Sequence, residues 1–240
     1  KRDEFIKKAL AIIKELNIPI KLYILIKSGF YRKPLTGIWE ECNKEFGKSD
    51  KDFYCGDAAG RENDFAATDL MFAFNNKVHF YLPENLFLGE DNEVTVEFPT
   101  YLTDYLGKRE ELNIDIKEPT LILIAGYPGS GKSITSKQLN LPIASNDIQG
   151  SMTKCKKEVK KHLENKQSCI VDNTNLSKKD RNIYLDLAKQ KKFKTMIIWI
   201  NNNIHFCYYM NQLRCQLSKG AEHIVPKVAY YRLRKNFVQP

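Results

Sequence analysis

No run of about 18 apolar residues occurs in these 240 residues, so nothing in the sequence is written to cross a membrane as a helix. The opening KRDEFIKKALAII mixes charge with a helical period and lacks the uncharged core of a secretory signal. The six cysteines, Cys42, Cys55, Cys155, Cys169, Cys207 and Cys215, contain no C-x-x-C pair. That removes the usual spacing of a structural zinc site and argues against a secreted disulfide framework. No internal repeat or low-complexity tract is present. A soluble monomer of a reducing, intracellular compartment is expected, in nucleus or cytoplasm, since no basic targeting cluster stands apart from the surface lysines. The first residue is Lys, and the expectation is part of a longer polypeptide.

Charge is unevenly spread. Residues 1–114 hold 16 basic and 20 acidic side chains, a net −4, whereas residues 115–240 hold 22 and 9, a net +13. Such an excess suits an anionic partner, of which nucleic acid is the commonest large one, or else a lysine-rich solvated surface. The stretch from Leu88 to Glu118 is acidic, carries Pro99 and shows no sustained period, so it reads as a linker with a boundary near Asn113. Two units follow, 1–113 and 114–240. In the second, the apolar runs LILIA, LPIAS, SCIVD and TMIIWI alternate with helical stretches, the pattern of a parallel α/β sheet covered on both faces.

The motif that carries chemistry is Gly126-Tyr127-Pro128-Gly129-Ser130-Gly131-Lys132-Ser133, which fits G-x-x-x-x-G-K-[ST] between an apolar strand and a helix. Its glycines let backbone N–H groups wrap a polyphosphate such as that of ATP. Lys132 reaches the β and γ phosphates, and the Ser133 hydroxyl ligates Mg2+. A guanine-specifying N-K-x-D is absent, and SCIVD runs on into Asn173-Thr174-Asn175 rather than D-x-x-G, so a GTPase switch is not expected. A kinase also needs a carboxylate to take the acceptor's proton and a cation to steady the moving phosphoryl group. Asp147, after the short strand that follows the loop's helix, is either that base or the N-cap of the next helix. Arg214, on HFCYYMNQLRCQL, is either a lid clamp on the γ-phosphate or a surface arginine. Asp172 ends its strand where a magnesium or its water would be held.

Taken in order, GYPGSGKS, SNDIQGS, VDNTN, NQLR, HIVP and LRKNFVQP resemble the kinase half of the polynucleotide kinase 3'-phosphatase family, over residues 126–240. The resemblance implies a P-loop kinase domain that phosphorylates the 5'-hydroxyl end of nucleic acid, DNA before RNA, in DNA end repair. By position, Lys132 and Ser133 bind ATP and magnesium, Asp147 is the general base and Arg214 the lid arginine. Asn146 stands where the family has Arg, and Gln149 departs as well. Backbone-tracking cations are expected among Lys154, Lys156, Lys157, Lys160, Lys161, Lys178, Lys179 and Arg181.

YRKPLTGIWEE and FYCGDAAGRENDFAATDLMFAFN resemble the end of the same family's haloacid-dehalogenase-like phosphatase domain. The resemblance makes Lys33 the charge-steadying lysine and Asp57 a magnesium ligand, with Asp69 or Asp64 assisting, toward 3'-phosphate ends. Without it, Lys33 before proline reads as a turn residue and Asp57 as a loop acid. The nucleophilic D-x-D-x-T of such phosphatases is absent from the sequence. It is expected upstream, so that this stretch alone does not dephosphorylate; a kinase-only relative is the rival expectation. The residues are also compatible with a small-molecule kinase, a nucleic-acid-binding module with a dead kinase, or an adaptor protein.

Overall fold

The computed structural model describes residues 2–26, 29–95 and 114–240. The boundary expected near Asn113 lies outside them, as does most of the acidic connecting stretch.

The N-terminal unit begins with helix α1 (Arg2–Leu16), followed by α2 (Gly37–Phe46), β1 (Phe53–Cys55), α3 (Thr68–Asn76), β2 (His79–Tyr81) and α4 (Pro83–Leu88). Strands β1 and β2 pair in parallel, with Tyr54 opposite Phe80, and α3 crosses between them to make one βαβ unit. Leu70, Ala59 and Leu82 form its small core, with Phe80 packed against it. Rings close the other side: Phe72 lies edge-on to Tyr54 at 4.8 Å and to Trp39 at 6.0 Å. The alternating segment Ile18 to Ile26 forms no strand, and Ile18, Ile20, Leu22 and Ile24 are exposed.

The C-terminal unit runs β3 (Thr120–Ala125), α5 (Lys132–Gln138), β4 (Ile143–Ala144), α6 (Asn146–Gln149), α7 (Met152–Glu164), β5 (Cys169–Asp172), α8 (Lys178–Gln190), β6 (Lys194–Trp199), α9 (Ile204–Leu217) and α10 (Lys227–Lys235). Its four strands are all parallel in the order β4-β5-β3-β6. Every residue of β3 and β5 is buried, which is why these strands read as continuous apolar runs rather than alternating ones. The period of two is still visible in three dimensions. Leu121, Leu123 and Val171 pack beneath α7 and α8 with Val159, Leu163 and Tyr184, while Ile122, Ile124 and Ile170 meet Leu139, Met196 and Ile198 on the opposite face. Leu121 pairs with Cys169 and Ile124 with Asp172, so the ends of β3 and β5 finish side by side and their following loops share one edge of the sheet.

The units touch through α9. Phe30 and Leu35 of the N-terminal unit bury Cys215, with Ile224 packed against them, and the Thr36 amide donates to Gln216 Oε1 at 3.1 Å.

Candidate active site

The glycine loop leaves the sheet at Ala125 and returns as α5, and its shape is set by close approaches. Gly129 has φ +76°, and a Cβ there would lie 2.3 Å from the Cys207 carbonyl oxygen, so α9 seats directly on the loop. Tyr230 of α10 braces it from outside, donating its hydroxyl to the Pro128 carbonyl at 2.8 Å. Asn202 Nδ2 holds the Ser130 carbonyl at 2.9 Å. Lys132 Nζ arches back over the loop to the Tyr127 carbonyl at 2.8 Å. Burial pushes its ammonium pKa below the ordinary value, against the opposing pull of Asp172, Cys207 and Asp147; Arg214 adds to the lowering. That these groups act on one ammonium places them around a common point.

A cleft of about 730 Å³ makes the same statement geometrically: Lys132, Ser133, Asp147, Asp172 and Arg214 all line it. For Asp147 the two roles that spacing allows are now separated. Ser145 is the N-cap of α6, its hydroxyl accepting from the Ile148 amide at 3.1 Å, so Asp147 sits within the first turn with its side chain exposed to the cleft. Asp172 is 8% exposed, and its Oδ1 is buried without a hydrogen-bond partner among the described residues. A carboxylate oxygen so placed calls for a cation or a cation-bound water. With the Ser133 hydroxyl in the same cleft, these residues fit a magnesium ion that takes its remaining ligands from phosphate and water, although no group of three or more acidic, Cys or His side chains gathers there among the described residues. Arg214 stands in the last turn of α9, exposed, with Nε 3.6 Å from Glu222 Oε2.

The D-N-T-N stretch does more than sequence reasoning assigned to it. Asn173 Oδ1 accepts from the Asn146 amide at 2.8 Å and its Nδ2 donates to the Tyr184 hydroxyl at 3.2 Å, so it fixes the start of the helix that presents Asp147. Asn175, at φ +45° and buried, bonds the carbonyls of Ile124 and Val171 and clamps the two strand ends together. Asn211 binds the Val225 backbone through both amide atoms, holding residues 218–226 against α9. Apolar runs flanking polar amides were the available signal, since a buried strand ending in three successive polar residues has backbone groups to satisfy. One expected contact is corrected. Arg181 is 4% exposed and donates to the carbonyls of Asn175 and Leu176, so it is part of the fold's interior and not of any acceptor-tracking surface.

In the N-terminal unit, Lys33 and Asp69 come together although they are 36 positions apart. The Lys33 ammonium pairs with Asp69 Oδ1 and donates to the Tyr54 hydroxyl at 2.9 Å, and Asp69 Oδ2 accepts from the Ala58 amide at 3.0 Å. Burial lowers the ammonium's pKa, but the bonds to Asp69 and Tyr54 outweigh it and the net shift is upward. Asp69 is 3% exposed and packs against Gly56, where a Cβ would fall 2.5 Å from its Cγ; the glycine before Asp57 is there to admit this carboxylate. Asp69 thus serves as the counter-ion of Lys33. Asp57 is exposed on the loop after β1, while Asp64 is held by Arg61 and the Ala59 amide. Asp57, Asp64 and Asp69 form no metal-holding cluster among the described residues.

Residues 1–87 match the family model of polynucleotide kinase 3 phosphatase. Over 98% of its length the chain is 29% identical to the bifunctional polynucleotide phosphatase/kinase of Schizosaccharomyces pombe, covering 60% of that protein. Over 91% of its length it is 30% identical to the putative bifunctional polynucleotide phosphatase/kinase of Acanthamoeba polyphaga mimivirus, covering 61% of it. The chain therefore spans about three fifths of the length of these relatives. A putative kinase from Chloroflexus aurantiacus overlays 52% of this chain and 83% of its own, with a TM-score of 0.42 and 17% identity.

Proposed function

We propose, from the premise that this chain is a homologue of the bifunctional polynucleotide phosphatase/kinases, that residues 114–240 transfer the γ-phosphoryl group of ATP to the 5'-hydroxyl end of a nucleic acid, DNA before RNA. The observation that carries this reading is the convergence of Lys132, Ser133, Asp147, Asp172 and Arg214 on one cleft. Backbone N–H groups of the glycine loop hold the donor's phosphates. Asp147 accepts the proton of the 5'-hydroxyl as its oxygen attacks the γ-phosphorus, the bond to the β-phosphate oxygen breaks, and ADP leaves. Lys132 and Arg214 offset the charge spread over the transferring group. Ser133 and Asp172 would hold the magnesium ion, which supplies charge neutralisation across the β and γ phosphates. Positioning does the rest, because little covalent chemistry falls to the protein in such a transfer.

Lys33, with Asp69 at its back and Asp57 nearby, is the charge-stabilising part of a site for 3'-phosphate ends. The nucleophilic D-x-D-x-T that phosphate removal requires is not in the sequence, so hydrolysis is not assigned to these 240 residues alone.

Incubation with γ-labelled ATP tests the kinase reading. Label should appear on a 5'-hydroxyl oligonucleotide and not on free nucleosides; label on nucleosides alone would replace it with a small-molecule kinase. Asp147→Ala should lower transfer by about 10²- to 10⁴-fold while ATP binding persists.

A further inference from the structure

Helix α9 has two lined faces. Met210, Leu213, Arg214 and Leu217 turn toward the cleft just described. His205, Tyr209, Gln212 and Gln216, spaced by 4, 3 and 4, line a second cavity of about 520 Å³ between the two units. Opposite them α10 presents Lys227, Tyr231 and Arg234, again at positions i, i+4 and i+7 of one helical face. The third wall belongs to the N-terminal unit: Pro34 to Thr36, immediately after Lys33, and Met71 and Asn75 of α3. The cavity thus lies between the Lys33 site and the phosphate cleft, and Leu213 lines both cavity and cleft.

Its chemistry is specific. Tyr209 and Tyr231 are 38% and 51% exposed, so two rings line a groove that solvent reaches. Lys227 and Arg234 make no ion pair among the described residues, and α10 carries Lys227, Arg232, Arg234 and Lys235 with no acidic residue on the helix. Rings interleaved with uncompensated cations are what a flexible, unpaired strand binds, because every base offers a π-face and every linkage a negative charge. A volume of this size takes about one nucleotide. Duplex cannot enter it, since its bases remain stacked on one another.

We propose that this groove is a subsite for a single-stranded segment of nucleic acid, with a base stacked on Tyr231 and Tyr209 and the flanking phosphates against Lys227 and Arg234. The inference rests on the polynucleotide reading of the acceptor and adds to it where the strand lies beyond its reacting end.

Fluorescence anisotropy with a single-stranded 5'-hydroxyl 12-mer tests it on the full chain, without requiring any transfer. Tyr231→Ala should raise the Kd about tenfold, and Lys227→Glu with Arg234→Glu should raise it further and flatten its dependence on log salt by about two. Tyr231→Phe, which keeps the ring, should bind as the parent does. Should Tyr231→Ala melt below the working temperature, Tyr231→Leu keeps the bulk without the ring and replaces it. Cross-links from a 12-mer bearing 5-iododeoxyuridine should map to Tyr209 or Tyr231. Parent-like affinity in Tyr231→Ala, a parent-like salt slope in Lys227→Glu with Arg234→Glu, or cross-links only elsewhere, would overturn the subsite. If the 12-mer binds as described but accepts no phosphoryl group, the kinase reading fails and the subsite stands.

Discussion

Residues 114–240 bury all six residues of β3 and all four of β5, whereas residues 2–95 pair three residues with three and leave Ile18, Ile20, Leu22 and Ile24 facing solvent. Both units use parallel strands joined through helices, so the difference is one of how completely the sheet is covered. The C-terminal unit presents a cleft assembled from the glycine loop, α6, the end of β5 and α9, and the N-terminal unit holds the Lys33–Asp69 pair.

Substitution in the two sites should break the comparison most sharply. Lys132→Ala should reduce phosphoryl transfer to a 5'-hydroxyl oligonucleotide by at least about a thousandfold, and Arg214→Ala by about 10³-fold, since each removes charge from the transferring group. Lys33→Ala should leave the rate within about threefold of the parent, because its ammonium serves the other site. A steady-state assay with labelled ATP reads all three, and a transfer rate that fell equally with Lys33 would mean that the units form one catalytic device.

Packing gives the next largest contrast. Leu123→Ala opens a hole in a fully buried strand and should cost about 2–5 kcal/mol. Ile24→Ala, at 45% exposure, should stay within about 0.5 kcal/mol. Urea midpoints decide between them, and a large loss at Ile24 would show that the exposed segment is packed in solution.

Asp69→Ala is expected to fall between, at about 1–3 kcal/mol, because the Ala58 amide and the Lys33 ammonium lose their acceptor together. Trp39 is the reporter for this unit, touching the Tyr54 and Phe72 rings, while Trp199 on β6 reports on the other. With only two tryptophans in the sequence, a Trp→Phe change at either one isolates the remaining signal.

The smallest effect is one of sign. The Lys33 pKa is raised above its ordinary 10.5, so the pair's stabilisation is complete below about pH 10.5 and is lost as pH climbs through the raised value. Lys132 is shifted down by burial, so the folded state disfavours its charge, and stability there should rise as pH passes from the lowered value up to 10.5. Burial also pushes up the Cys169 and Cys207 thiols and the Tyr184 and Tyr230 hydroxyls of the C-terminal unit, and together they outweigh Lys132, so urea melts followed at Trp39 and at Trp199 between pH 9 and 11 should both lose stability as pH rises. A gain at either tryptophan would overturn that sign.

Much of the C-terminal unit was legible in the residues. Continuous apolar runs separated by helical periods specify buried parallel strands, because such strands are covered on both faces, and all four expected strands are present. The glycine loop was legible as well, since its spacing is dictated by the approach of backbone to phosphate. Local pattern has a limit: the apolar residues from Ile18 to Ile26 form no strand, because a strand exists only where a neighbour supplies its hydrogen bonds, and none of the described residues does. Arg181 shows another, a cation drawn inward because unpaired carbonyls at the end of β5 compete for it more effectively than solvent does.

By itself, then, the order of residues determined the parallel sheet and the phosphate loop, since each follows from local periodicity or from a motif confined to a few positions, and it left Asp147 and Arg214 each with two roles. Tertiary structure alone decided that Ser145 caps α6 and frees Asp147, that Asp172 is left with an oxygen unpartnered among the described residues, and that Tyr209 and Tyr231 line one groove. Those outcomes depend on which groups residues distant in the chain bring within hydrogen-bonding or stacking reach, and spacing along a sequence does not encode that distance.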